Sequence, residues 1–176
     1  MKKYLAIAAL LSAPVFATAA TNLVANGSFE NFNQGPGWDI YTSDTAWTIG
    51  TDGVEIRNNV AGTAADGVRF AELDTTVNSW ISQDISTGAN QSLLLSFSYA
   101  PRINVSADSN PIDVFWNGTS IGTYTGNGNV GSSWYNVSLF LMGDGDGTNT
   151  LKFMASGLSD SLGGSLDNIS VTAVPE

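Results

Sequence analysis

An all-β fold, a two-sheet antiparallel β-sandwich of the jelly-roll kind, is predicted by three observations on this 176-residue sequence. Apolar and polar residues alternate with a period of two through most of residues 21–174, 19 glycines punctuate that alternation, and no stretch carries the 3.6-residue period of an amphipathic helix. A hydrophobic content of 43% with 12% charged residues suits one core in one domain.

The opening MKKYLAIAALLSAPVFATAA sets Lys2 and Lys3 before an apolar run and closes on the small residues Ala17-Thr18-Ala19. That order is the order of a removable Sec export signal over residues 1–20, and the apolar run falls short of the ~20 residues of a spanning helix. Strands are predicted at GVEIR (53–57), VRFAEL (68–73), SWISQDI (79–85), PIDVFWNG (111–118), SWYNVSLFLM (133–142), NTLKFMASG (149–157) and SLDNISVTAV (165–174). In SLLLSFSYAPR, Leu93, Leu95, Phe97 and Tyr99 share one face and Leu94, Ser96 and Ser98 the other, the mark of a half-buried strand. Asn117-Gly118 turns the strand beginning at Ile112 back on itself, because both residues tolerate positive φ. NVAGTAADG (59–67) reads as a long surface loop. GDGDGTN (143–149) reads as a tight hairpin loop, since Asp144 and Asp146 lack the third carboxylate and the distal Glu of an EF-hand.

Charge and residue choice exclude several functions. The sequence has 16 acidic and 6 basic residues, and loss of the signal leaves only Arg57, Arg69, Arg102 and Lys152, scattered singly. A polyphosphate backbone needs clustered cations, so nucleic acid is excluded as a partner, and anionic membrane surfaces are disfavoured. Neutral polysaccharide and divalent cations remain compatible. Absence of His and Cys removes the commonest general base and every thiol nucleophile. A glycosidase would then need two carboxylates facing each other at about 5–10 Å. Glu55, Glu72 and Asp74 are the candidates, but a carboxylate pair on one strand more commonly makes a solvated face or a cation site, so no catalytic residue is expected.

Sugars stack their C–H faces on flat rings and give their hydroxyls to polar neighbours, so a binding site needs both together. Trp38, Trp47, Trp116 and Trp134 are expected in the core. Trp80 follows the polar TTVNS and is expected to expose its ring near loops. Tyr99, Arg102, Asp108 and Asn110 form a second polar and aromatic group, in which Arg102 either pairs with Asp108 or contacts ligand.

The stretch TNLVANGSFE followed by GPGW, the middle motifs GVEIR, AADGVRFAELDT, ISQDIST, LLLSFSYAPR and DSNPIDVFWNG, and the closing DSLGGSLDNISV occur in a fixed order. Together they resemble galactose-binding-like jelly-roll domains of the carbohydrate-binding-module kind, as found in bacterial PEP-CTERM exported proteins and large repeat adhesins, over residues 22–173. The resemblance implies that NLVANGSFE and LDNISVTAV lie side by side as first and last strands. It implies a structural calcium clamped between Glu30 and Asp167, a use that suits a hard cation seeking 6–8 oxygen ligands. It also implies that Val174-Pro175-Glu176 begins a PEP-CTERM sorting tail, while proline is equally a natural strand stop.

The expected function is therefore a secreted, non-catalytic module at the bacterial cell surface. It would bind polysaccharide or glycan in adhesion or an extracellular matrix, through Trp80, Tyr99, Arg102, Asp108 and Asn110. The alternatives are a structural module that meets cell-envelope proteins without a sugar site and, more weakly, a small glycoside hydrolase.

Overall fold

The computed structural model describes residues 20–128 and 133–175. The predicted signal lies outside these residues except for Ala20, as does Glu176 of the predicted tail. Among the described residues eleven strands run β1 (Gly37–Tyr41), β2 (Thr48–Ile49), β3 (Val54–Asn58), β4 (Arg69–Glu72), β5 (Trp80–Ser86), β6 (Ser92–Ala100), β7 (Ile112–Trp116), β8 (Thr119–Tyr124), β9 (Tyr135–Met142), β10 (Thr148–Ala155) and β11 (Ser165–Ala173). They form two antiparallel sheets, a first with order β1-β3-β4-β11-β6-β9 and a second with order β2-β5-β10-β7-β8. This is the sandwich that the alternation predicts.

The core lies between the sheets. Leu93, Leu95, Phe97 and Tyr99 of β6 are buried on its inner face, in phase with Ile112 and Val114 of β7 and Leu151 and Phe153 of β10 opposite. Phe97 meets Phe153 edge to face with centroids 5.2 Å apart, which ties the two sheets at mid-core. Asn117 and Gly118, at φ 51° and 76°, make the predicted β7–β8 turn.

A bulge in β11 between Asp167 and Ser170 sets the local geometry of the site region. Asn168 takes φ 49° there, so the side-chain phase switches and Leu166, Ile169 and Val171 are all buried while Asp167 points to the outer face. β11 pairs with β4 only at Ser165 and Leu166. Beyond the bulge the N-terminal segment takes the place beside it, through Leu23 N–H to Val171 O (2.8 Å) and Ile169 N–H to Gly27 O (3.0 Å). First and last segments thus lie side by side as expected, but NLVANGSFE is not a regular strand. Asn26 and Phe29 sit at φ 52° and 59°, breaking the ladder so that Val24, Phe29 and Phe32 turn into the core. Gly27 is required at this approach, since a Cβ would stand 2.0 Å from Ile169 O.

Two other expectations are corrected. GDGDGTN is not a hairpin loop: β9 belongs to the first sheet and β10 to the second, so the loop crosses between sheets. Its carboxylates cap their own turn, Asp144 accepting from Gly145 N–H and Asp146 from Thr148 N–H at 2.7 Å. Trp47 and Trp116 are core residues, whereas Trp38 on β1 is exposed and Trp134 is half-buried over the outer face of the first sheet.

Candidate functional site

The carboxylates raised as catalytic candidates face no cleft. Glu55 and Arg57 on β3 and Glu72 on β4 point outward from the first sheet, yet loops roof them, and Glu55, Glu72 and Asp74 are only 7%, 0% and 0% exposed. Arg57 sits between the two glutamates, Nε on Glu55 Oε1 and Nη2 on Glu72 Oε2 at 3.0 Å, with its guanidinium 6.0 Å from the Phe70 ring. Gly163 and Asp74 also donate backbone N–H to Glu72 Oε1. Asp74 caps the 159–162 loop by accepting Asp160 N–H at 2.9 Å. These groups are structural clamps rather than a facing acid and base. Burial pushes the Glu72 carboxyl up to about 7, with Arg57 opposing and Glu55 adding to the shift.

The group Tyr99, Arg102, Asp108 and Asn110 comes together at one end of the sandwich, with Tyr99 and Asn110 buried and Asp108 exposed. Asn110 is fully buried and staples the 101–110 loop, Oδ1 accepting Arg102 N–H and Nδ2 donating to Ser106 O (2.8 Å) and Gly126 O (3.0 Å). Tyr99 is buried with its hydroxyl on Asn110 O. Arg102 donates to Ser161 O and lies 3.9 Å from Glu72, so it pairs with neither Asp108 nor solvent ligand space, and Asp108 stands exposed. Trp80 is elsewhere, on the outer face of the second sheet, with Lys152 Nζ 4.5 Å from its ring centroid.

What the sequence reading missed lies beside Tyr99. A cavity of about 440 Å³ opens where β8 and the start of β9 part, lined by Tyr99, Thr123, Tyr124, Thr125, Gly126 and Tyr135. Tyr135 is 56% exposed, Tyr124 half-buried and Tyr99 buried, so three rings step from solvent into the core. Tyr124 is held edge to face on Phe97 at 5.1 Å. Burial, then the neighbouring Tyr135, hold the Tyr99 phenol above its usual range, so it stays neutral. The arrangement offers flat rings and neutral hydroxyls together, the pairing a sugar ring needs. One signal was present: Tyr135 is in phase with Val137, Leu139 and Leu141. Alternation alone does not reveal which strand ends face each other across the sandwich. A larger hollow of about 700 Å³ lies between residues 20–23 and 173–175, but no aromatic or charged side chain lines it.

Glu30 and Asp167 do converge on one loop. Asp167 is fully buried and accepts Ala65 N–H (2.7 Å), Asp66 N–H (2.9 Å) and Asn168 N–H (2.7 Å). Glu30 accepts Val68 N–H and Arg69 N–H and pairs with the Arg69 guanidinium at 2.9 Å. The loop thus presents N–H groups, positive dipole ends, to both carboxylates, where a calcium shell calls for carbonyl and carboxylate oxygens. No cluster of three acidic side chains suited to a metal occurs among the described residues. As arranged, the donor set does not fit a calcium ion without turning these donors away.

No family model matches the chain. Its fold is the jelly roll of solved carbohydrate-binding modules, as the sequence resemblance implied. It superposes on a family 61 module solved with β-1,4-galactotriose (TM-score 0.58, 15% identity, 88% of this chain and 100% of that one) and on a family 16 module (TM-score 0.54, 15% identity, 86% and 99%). In sequence it is similar to a segment of the multifunctional-autoprocessing repeats-in-toxin of Vibrio vulnificus, 32% identical over 157 residues and 86% of this chain, and to that of Vibrio cholerae, 32% identical over 159 residues and 88%. The chain spans about 3% of the length of these relatives.

Proposed function

We propose that this chain is a secreted, non-catalytic glycan-binding module, of the kind carried by large exported repeat proteins, and that it takes a neutral sugar unit at the tyrosine-lined opening. The observation that carries the reading is the step of Tyr135, Tyr124 and Tyr99 with Thr123 and Thr125 at its rim. The fold, shared with a module solved with β-1,4-galactotriose, supports it without naming the sugar. The opening and its hydroxyls suit one or two sugar rings, and the exposed ring of Tyr135 would carry the stacking. Calorimetry against neutral oligosaccharides, β-1,4-galactotriose among them, should show binding that Tyr135→Ala weakens at least tenfold, the ~1–2 kcal/mol of one aromatic platform. Binding that is indifferent to Tyr135 would move the site elsewhere.

The calcium expected between Glu30 and Asp167 does not suit the donors as arranged, and no part of the glycan reading passes through it. Given the N–H groups already on both carboxylates, a chelator is expected to leave the melting temperature within about 1 °C. A clear fall in chelator, restored by added calcium, would show that the loop turns its carbonyls to a cation.

A second reading, a module that assembles with envelope proteins or with its own kind, is favoured by one feature. β9 is an edge strand of eight residues, YNVSLFLM, with no charged side chain and with Phe140 81% and Met142 56% exposed. Sedimentation that shows a dimer broken by Phe140→Lys, with no glycan bound by the intact protein, would favour it.

A further inference from the structure

We propose that the outer face of the second sheet, around Lys152, is a separate binding site for a carboxylated sugar set in an otherwise neutral glycan. It shares its ligand class with the reading above but uses none of the same residues.

Lys152 on β10 lies in register with Ser82 of β5 on one side and Phe115 of β7 on the other. Its Nζ stands 4.5 Å from the centroid of Trp80 and 5.9 Å from that of Phe115, so two rings flank one ammonium. Gly50 packs against the edge of the Trp80 ring, where a Cβ would meet Nε1 at 2.9 Å. The close ion contacts of the described residues involve Arg57, Arg69 and Arg102, and Lys152 is in none of them. That is notable in a chain with 16 acidic residues. The two carboxylates on this face are held aside by threonines, Asp84 by Thr150 at 2.7 Å and Asp113 by Thr123 at 2.5 Å. An unpaired cation is thus kept on a half-exposed apolar floor of Trp80, Phe115 and Met154, bordered by hydroxyls and acceptors.

The chemistry selects the ligand. A single ammonium matches a single carboxylate, and the half-buried apolar surface of Phe115 and Met154 beside it matches the C–H face of the sugar that carries it. Asp84, Asp113, Ser82 and Thr150 would take the neighbouring hydroxyls. A densely charged polyanion is ruled out, since the chain's net charge of −10 would repel all but the one residue at Lys152. An acidic peptide offers the carboxylate but no rigid ring to stack.

The test is calorimetry with trisaccharides of glucuronate, galacturonate and mannuronate, each beside its methyl ester, and with a glutamate-containing peptide as competitor. We expect at least one uronate to bind tenfold more tightly than its ester, to lose that margin in Lys152→Gln, and to be unchanged in Tyr135→Ala. Lys152→Gln keeps the fold because the ammonium makes no ion pair, and circular dichroism checks it. The inference is overturned if every acid binds no better than its ester, if Lys152→Gln is without effect, or if the peptide competes at equal concentration. Neutral oligosaccharides that bind and depend on Tyr135 while the uronates fail would sink this site and leave the tyrosine site standing.

Discussion

Replacing Arg57 with leucine should destabilise the domain by about 3–5 kcal/mol at pH 8, since it leaves two buried carboxylates without their shared cation. Glu55 and Glu72 flank a guanidinium that is itself 1% exposed, and no solvent is at hand to take over its role. The loss should be read by chemical denaturation and should shrink on acidification. Glu72 binds its proton more tightly folded (about 7) than its ordinary value of 4.5, so its contribution to stability is fully present below about pH 4.5 and is lost as pH rises through about 7. The same direction holds for Asp167, which burial raises to about 6 against its N–H donors. The wild-type protein should therefore lose about 3 kcal/mol or more between pH 4.5 and 8, an unusual slope for so acidic a chain. Glu72→Gln should flatten the profile above pH 6 and leave Asp167's part below it. A profile that is flat in the wild type would show that Glu72 is ionised throughout.

Asp167→Ala should cost about 3 kcal/mol, near 10 °C in melting temperature, because three charged hydrogen bonds are lost and the N–H groups of Ala65, Asp66 and Asn168 lose the carboxylate that gathers them. The damage should be local first. Ala65 and Asp66 are held to the sheet by this one carboxylate, and Trp134 rests on the same loop through Thr63 O at 2.8 Å. Limited proteolysis should cut the variant within residues 59–67 well before it unfolds. An uncut loop would mean that Glu30 and Arg69 hold it alone. Asp167→Asn, which retains acceptors for two N–H groups, should recover about half of the loss.

Alternation made the long strands legible, because burial on one face and hydroxyls on the other leave a period of two in Leu93 to Tyr99. Asn117-Gly118 marked its turn through the conformations only those residues favour. The short β1 and β2 carried no such period and could not be read. The family resemblance implies a strand at NLVANGSFE, yet Asn26 and Phe29 leave the ladder in left-handed conformations that a shared motif does not encode. The carboxylates were hardest. Glu55, Arg57 and Glu72 alternate as a solvated face would, and only the loops that fold over them, distant in sequence, turn that face into a buried clamp. The tyrosine opening was hidden for a related reason: Tyr124 and Tyr135 end strands of different sheets, and strand order across the sandwich is not written in local pattern.

The antiparallel contact of Leu23 with Val171 brings residues 21 and 174 to the same end of the sandwich. In any longer polypeptide that carries this domain, tension would load those bonds one after another, as in unzipping, instead of shearing them together. Folded, the domain would hang beside such a tether and lend it almost no length. Once peeled open, its roughly 150 residues would pay out on the order of 500 Å of chain, so the same contact that closes the sheet would serve as the catch on a reserve of extension.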